Sequence, residues 1–273
     1  MTRDSRYDIL FDSVKIGPHR TRNRFYQVPH CTGAGHQYIN TQNRIRAHRA
    51  EGGWAVVCTD ICSIHPSGDP TPYPSLRLWN DADARALRAM VDAVHEHGAL
   101  TGCQLMHEGA SALNRVTREP AIGPSPRPNR VDPRQSRSMD RSDIRELLSW
   151  QRRAAIRARD IGFDIVYVYA AHGLSVAMDF LSRRINRRTD EYGGSLENRM
   201  RFPLEVFDAC RAAWPDELPM SVRVSAVDWA PGGIEPTDTV EVSRMLHERG
   251  CDVIDVSSGQ TVPHQKPVYG RLW

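Results

Sequence analysis

The chain has 273 residues, enough for one large α/β domain, and its 40% hydrophobic and 25% charged composition is ordinary for a soluble globular protein. The net charge of +3 is spread out, with Arg interleaved among Asp and Glu, so no aromatic-studded basic patch for nucleic acid is present. No apolar run approaches the roughly 20 residues of a membrane span, and the polar stretch Met1 to Asp8 lacks a signal-peptide core, so a cytosolic protein with reduced cysteines is expected.

Short apolar strands alternate with amphipathic helices. In chain order, strands are predicted at Arg24 to Val28, Trp54 to Cys58, Ala99 to Leu105, Phe163 to Tyr169, Met220 to Ser225 and Cys251 to Val256. Helices are predicted at Asp83 to His97, from an N-cap at Ser142 to about Asp160, at Leu196 to Trp214 and at Thr237 to Arg249. Gly98, Gly162 and Gly250 stand at the helix-to-strand junctions. Repeated βα units imply right-handed crossovers and an all-parallel sheet, either a barrel or an open doubly wound sheet. His107 to Asp140 is aperiodic and proline-rich, and it follows a strand end, as a lid or binding loop does.

Four strand ends are rich in polar groups. Pro29, His30 and Cys31 follow the first, with Gly33 and Gly35 too few for a nucleotide loop. Gln104 and His107 bracket the end of the third, Tyr169 and His172 the end of the fourth, and Arg223 sits inside the fifth. A buried strand-interior Arg needs a partner, which a bound anion or an electron-rich cofactor edge would supply. His172 reads either as a hydrogen-bonded structural histidine or as a functional one. Cys58 and Cys62, spaced C-x₃-C with no second pair, read as packing residues in preference to a metal site.

Asn23-Arg-Phe-Tyr-Gln-Val-Pro-His-Cys-Thr-Gly-Ala-Gly35 resembles the first strand of the trimethylamine dehydrogenase-like branch of the Old Yellow Enzyme family, and Tyr167-Val-Tyr-Ala-Ala-His-Gly173 resembles its fourth. The segment Phe180-Leu-Ser-Arg-Arg-Ile-Asn-Arg-Arg-Thr-Asp-Glu-Tyr-Gly-Gly-Ser-Leu-Glu-Asn-Arg199 resembles the signature of the wider family. The resemblance implies a (β/α)₈ TIM barrel, an α/β fold, with about six of eight βα units in this chain. Residues 1–273 are then one FMN-binding domain, incomplete at its C-terminus.

The resemblance further implies that the backbone at Val28 and Pro29 lines the flavin. It places Gln104 on the flavin pyrimidine edge and Arg223 at N1 and O2, where negative charge develops on reduction. Cys31 matches a cysteine that links covalently to FMN; in other branches a cysteine beside the flavin stays free. Tyr169 and His172 match the substrate-side catalytic pair. Ile61 replaces a tyrosine of the methylammonium-binding aromatic box. The loop Ser257 to Lys266 is more similar to the Old Yellow Enzyme-type domains of aromatic acyl-CoA mono-oxygenases, which argues against trimethylamine itself as substrate. No iron–sulfur site can be placed on the cysteines present. The implied activity is FMN-dependent oxidation or N-demethylation of a small amine. The alternatives are an enoate reductase and a non-catalytic truncated fragment that cannot close its barrel. The substrate is a small molecule; the electron donor or acceptor, NAD(P)H included, and homo-oligomerisation stay open.

Overall fold

The computed structural model describes residues 4–129, 133–262 and 264–268. One curled parallel sheet carries six strands in sequence order, β1 (Tyr26–Gln27), β2 (Val56–Ser63), β3 (Leu100–Met106), β4 (Ile165–Ala170), β5 (Met220–Ser225) and β6 (Val253–Ser257), and off this path the two-residue strand Leu76–Arg77 pairs with β2. Every neighbouring pair is parallel, as consecutive right-handed βα steps require. This is the sheet of a (β/α)₈ barrel, with six of its strands in the described residues. The helices α1 (Ile39–Glu51), α2 (Asp81–His95), α3 (Arg141–Asp160), α4 (Val176–Leu181), α5 (Leu196–Arg211) and α6 (Pro236–His247) complete the βα alternation. Among the described residues no helix is long and apolar enough to cross a membrane.

Register divides the strand residues between two faces. Val57, Cys103, Leu105, Val166, Val168, Val222 and Val224 pack outward into the large core shared with the helices. Val56, Cys58, Ile165 and Tyr167 face inward, where Ile16 of the N-terminal hairpin (Lys15–Ile16 with His19–Arg20) joins them and plugs the barrel floor. Met106, Tyr169 and Ala171, with Ile61 and Leu174, form a smaller inner cluster nearer the strand ends. Cys58 and Cys62 thus lie on opposite faces.

Three local expectations are corrected. β2 does not stop at Cys58. A bulge between Cys58 and Ile61 absorbs Thr59 and Asp60, with the Thr59 hydroxyl accepting from the Gln104 amide (3.2 Å), and the strand runs on to Ser63. The cap of α3 is Asp140, not Ser142: Asp140 accepts from the Ser142 and Asp143 amides while Asp143 accepts from the Asp140 amide, a reciprocal capping box two residues earlier. Helix α1 was not foreseen, because its buried face is Gln42, Asn43, Arg46 and Ala50 and shows no apolar stripe. It docks by hydrogen bonds. Fully buried Arg46 donates to the carbonyls of Cys58 (3.1 Å) and His30 (2.7 Å), and Gln42 donates to Asp60 (3.1 Å).

The proline-rich loop is ordered by two-residue strands, Ile122–Gly123 beside Arg137–Ser138, and residues 130–132 of it lie outside the described residues, as does Trp273 at the end of the sequence. The segment 180–199 holds the loop down. Arg188 donates to the carbonyls of Met139 (2.6 Å) and Pro124 (3.3 Å), and the Arg187 amide donates to Ser125 (2.8 Å). Asn186 bonds the carbonyls of Phe180 and Tyr192, both at 2.7 Å, and Arg199 bonds that of Leu181 (2.9 Å). A Cβ on Gly193 would sit 2.1 Å from the Arg188 carbonyl, so only glycine lets this turn close.

Candidate active site

Two inner layers of side chains build the site. Tyr169, Arg223 and Asp255 are register partners across β4, β5 and β6 and share the upper layer. Gln104 pairs with Tyr167 one layer below, on the same face. His172 follows the end of β4 in a left-handed conformation (φ 58°), its amide held by Ser225 Oγ (2.9 Å). Gln104, Tyr169, Arg223 and His172 therefore lie on the inner face or at its rim. His107 does not: its ring bonds Ser67 (3.0 Å) and the Gly109 amide (3.0 Å) and lies against Trp150 of α3 on the outer side.

Arg223 carries its own protein partners. Nε donates to Ser257 (2.6 Å), Nη1 donates to the Pro29 carbonyl across the barrel (2.9 Å), and the Asp255 carboxylate stands 3.6 Å away. The partner that this buried charge needs is supplied in part by the protein itself, through Asp255. Burial holds Asp255 above the usual carboxylate range, and Arg223 opposes that shift. Beneath this layer the hydroxyls of Tyr26 and Tyr167 bond each other, with Cys58 3.8 Å from Tyr167. Burial keeps all three protonated.

His172 Nδ1 lies 3.2 Å from the Gly259 carbonyl. A carbonyl only accepts, so Nδ1 carries the proton and Nε2 is left with its lone pair. Burial, with Arg223 adding to it, lowers the His172 pKa below 6.5 and keeps the ring neutral. The Tyr169 ring centroid is 6.3 Å from that of His172, and burial holds its phenol protonated.

On the β1 side, Pro29 is buried and Val28 is 39% exposed. Cys31 is exposed as a residue, but its thiol turns toward buried Asp60. Desolvation and the Asp60 charge push that thiol up to about 12, and burial raises Asp60 in turn. Asp60 also accepts from the Ile61 amide (2.6 Å) and from Gln42.

Polar atoms without partners point to a ligand. Among the described residues, Gln104 Oε1 and Gln27 Oε1 are buried acceptors lacking any hydrogen bond. The imide N–H of a flavin ring is the kind of donor that would satisfy such an amide oxygen, and Arg223 supplies the cation a reduced flavin calls for. The residues present thus fit FMN. Asp60, Asp255, Gln42 and Arg46 escaped the sequence reading. The two aspartates had a signal, since each is a lone charge inside an apolar strand, as Arg223 is.

A cavity of about 430 Å³ opens beside this layer, lined by Cys31, Ile61, Met106 and Leu174 toward the barrel and by Glu108 and Tyr73 farther out.

The chain matches the NADH:flavin oxidoreductase / NADH oxidase family over residues 9–270. It is 43% identical to dimethylamine dehydrogenase of Hyphomicrobium sp. (strain x) over 250 residues, 87% of this chain and 33% of that protein. It is 36% identical to NADPH dehydrogenase of Geobacillus sp. (strain WCH70), covering 96% of this chain and 76% of that one. The structure of histamine dehydrogenase from Rhizobium sp. 4-9 superposes with a TM-score of 0.89 at 41% identity, over 94% of this chain and 38% of that chain. The chain thus spans a third of the dimethylamine dehydrogenase and under two-fifths of the histamine dehydrogenase.

Proposed function

The chain belongs to the NADH:flavin oxidoreductase / NADH oxidase family, and from that premise we propose that its barrel mouth binds FMN and oxidises a small amine. Gln104, Arg223 and the Val28–Pro29 backbone would hold the flavin ring, and residues 1–273 would act as one FMN-binding unit. FMN, when bound, supplies the two-electron acceptor.

The reading rests chiefly on His172. Amines at neutral pH are protonated, and only the free amine has the lone pair that assists hydride loss. A neutral imidazole with Nδ1 committed to Gly259 presents Nε2 to take that proton. Tyr169, kept protonated, orients the amine. Cys31 is the sulfur that would carry a covalent flavin link. Its thiol is not spontaneously ionised, and Asp60, whose charge acts on it, is the base placed to remove its proton.

A second reading, reduction of an α,β-unsaturated carbonyl with NAD(P)H, is favoured by the same protonated Tyr169, a ready donor to a carbonyl oxygen. The NADPH dehydrogenase likeness over 76% of that protein supports it too. Anaerobic mixing separates the two. Bleaching of the flavin absorbance by dimethylamine or a primary alkylamine, and not by NADPH, is the expected result. Bleaching by NADPH alone, reversed by an enone, would replace the amine reading with the second.

A further inference from the structure

Glu108 has no part in the chemistry above, yet it is 3% exposed and lines the cavity that leads away from Cys31 and Ile61. The Ser63 hydroxyl donates to its Oε2 (3.0 Å), while Oε1 has no hydrogen-bond partner among the described residues. The fold makes room for this carboxyl. A Cβ on Gly68 would come 2.5 Å from Oε2, so glycine at that turn is what lets the 66–70 segment close over it. The next residue, Asp69, is also buried. It accepts from the Thr71 and Val116 amides, both at 3.0 Å, and its charge adds to that of Glu108. The rest of the lining is largely apolar, with Ile61, Met106, Leu113 and Leu174, and no Lys, Arg or His is among its described residues.

We propose that Glu108 is a specificity-determining residue that receives a second cationic group at the far end of the substrate, so that diamines are preferred over simple alkylamines. The inference rests on the amine reading above and deepens it. An apolar cavity with one carboxyl at its wall and no basic residue complements a short hydrocarbon spacer ending in an ammonium. That ammonium would donate to the carboxyl once its unused Oε1, buried in this structure, turns toward the cavity. Burial holds the carboxyl well above the usual carboxylate range, with the Ser63 hydrogen bond opposing. A cation within hydrogen-bond reach favours the ionised form and turns this cost into attraction. A methyl group in the same place would leave the carboxyl without a partner, the arrangement by which sites reject analogues lacking a polar group.

Anaerobic calorimetric titration of the protein carrying reduced flavin, which cannot accept a hydride, with putrescine against n-butylamine, and cadaverine against n-pentylamine, tests this without turnover. At least one diamine should bind about tenfold or more tightly than its monoamine partner. Glu108→Gln, which keeps the side-chain volume, should bring the pair within about twofold while leaving monoamine affinity and thermal midpoint unchanged. Equal affinities in the parent protein, or a diamine preference that survives Glu108→Gln, would overturn the role of Glu108 and leave the amine reading intact. Failure of every amine to bind would overturn both.

Discussion

The inner mouth of the barrel and the segment 180–199 are equally crowded with polar side chains, but they satisfy them differently. Among the described residues of 180–199, no buried side-chain nitrogen or oxygen lacks a partner. At the mouth and its cavity, Gln27, Gln104 and Glu108 each keep a buried oxygen unbonded. An unmet buried polar atom opposes folding by about 1–3 kcal/mol, a cost that a ligand can relieve. The family-like signature is therefore a clamp that holds the 124–139 loop in place. The proposed chemistry is assigned to the less satisfied region.

The largest expected effect sharpens this contrast from the mouth. His172→Ala and Tyr169→Phe should slow flavin reduction by amine about 10² to 10⁴-fold while the flavin spectrum and thermal midpoint stay put. A change under about threefold in stopped-flow traces would remove both from the mechanism. The parent rate should hold through neutral pH and fall only below pH 6.5, because the His172 pKa is lowered and Nε2 must be unprotonated to act.

The anchorage of the loop, to which α4 contributes beside the clamp, should behave in the opposite way. Arg127 donates to buried Asp179 at 3.0 and 3.1 Å and to Ser111 at 3.2 Å, fastening the loop to α4. Arg127→Met should cost about 3 kcal/mol in denaturant unfolding, at the low end for breaking a buried pair. FMN content per folded chain should not change. Lost flavin at unchanged stability would invert the roles assigned to the two regions.

The smallest effect lies at neither region. The hydrogen bond between His95 Nε2 and Asp164 (2.8 Å) ties α2 to the start of β4. It raises His95 above 6.5. Burial opposes ionisation of Asp164, but the bonds from His95 and Thr101 prevail and lower it below 3.8. The contribution of His95 is full below pH 6.5 and is lost as pH rises through its raised pKa; that of Asp164 is full above pH 3.8 and is lost as pH falls through its lowered one. Because the His95 side chain is 38% exposed, solvent screening limits the pair to about 1 kcal/mol or less. His95→Gln should flatten the slope of stability between pH 6 and 8 by no more than about that amount. An unchanged slope would show the pair to be idle.

The difference between the regions also explains what was legible in the sequence. Apolar strands such as Ile165–Ala170 and the amphipathic α2 declare themselves by period, because their partners are other apolar surfaces. Helix α1 was invisible to that test, since it buries Gln42 and Arg46 against carbonyls and a carboxylate. Gln104, Tyr169, His172 and Arg223 could be marked because polar residues at the ends of apolar strands are conspicuous. Asp255 and Asp60 carried the same mark and were overlooked, and with them the ion pair at Arg223 and the carboxylate that raises the Cys31 thiol. Glu108 stands in an aperiodic loop, where only coordinates reveal that it is buried beside a cavity.

Everything proposed for the mouth depends on its holding FMN against Gln104 and Arg223. Titration of the purified protein with FMN, followed by quenching of flavin fluorescence, tests that most directly. The parent should bind one FMN per chain. Gln104→Leu and Arg223→Met should each weaken binding about tenfold or more, as expected when a hydrogen bond or a charge partner of the ligand is lost. Any FMN that resists acid precipitation in the parent should become extractable in Cys31→Ala. Binding that is unchanged in both Gln104→Leu and Arg223→Met, or no binding by the folded parent, would contradict the assignment of this mouth as a flavin site.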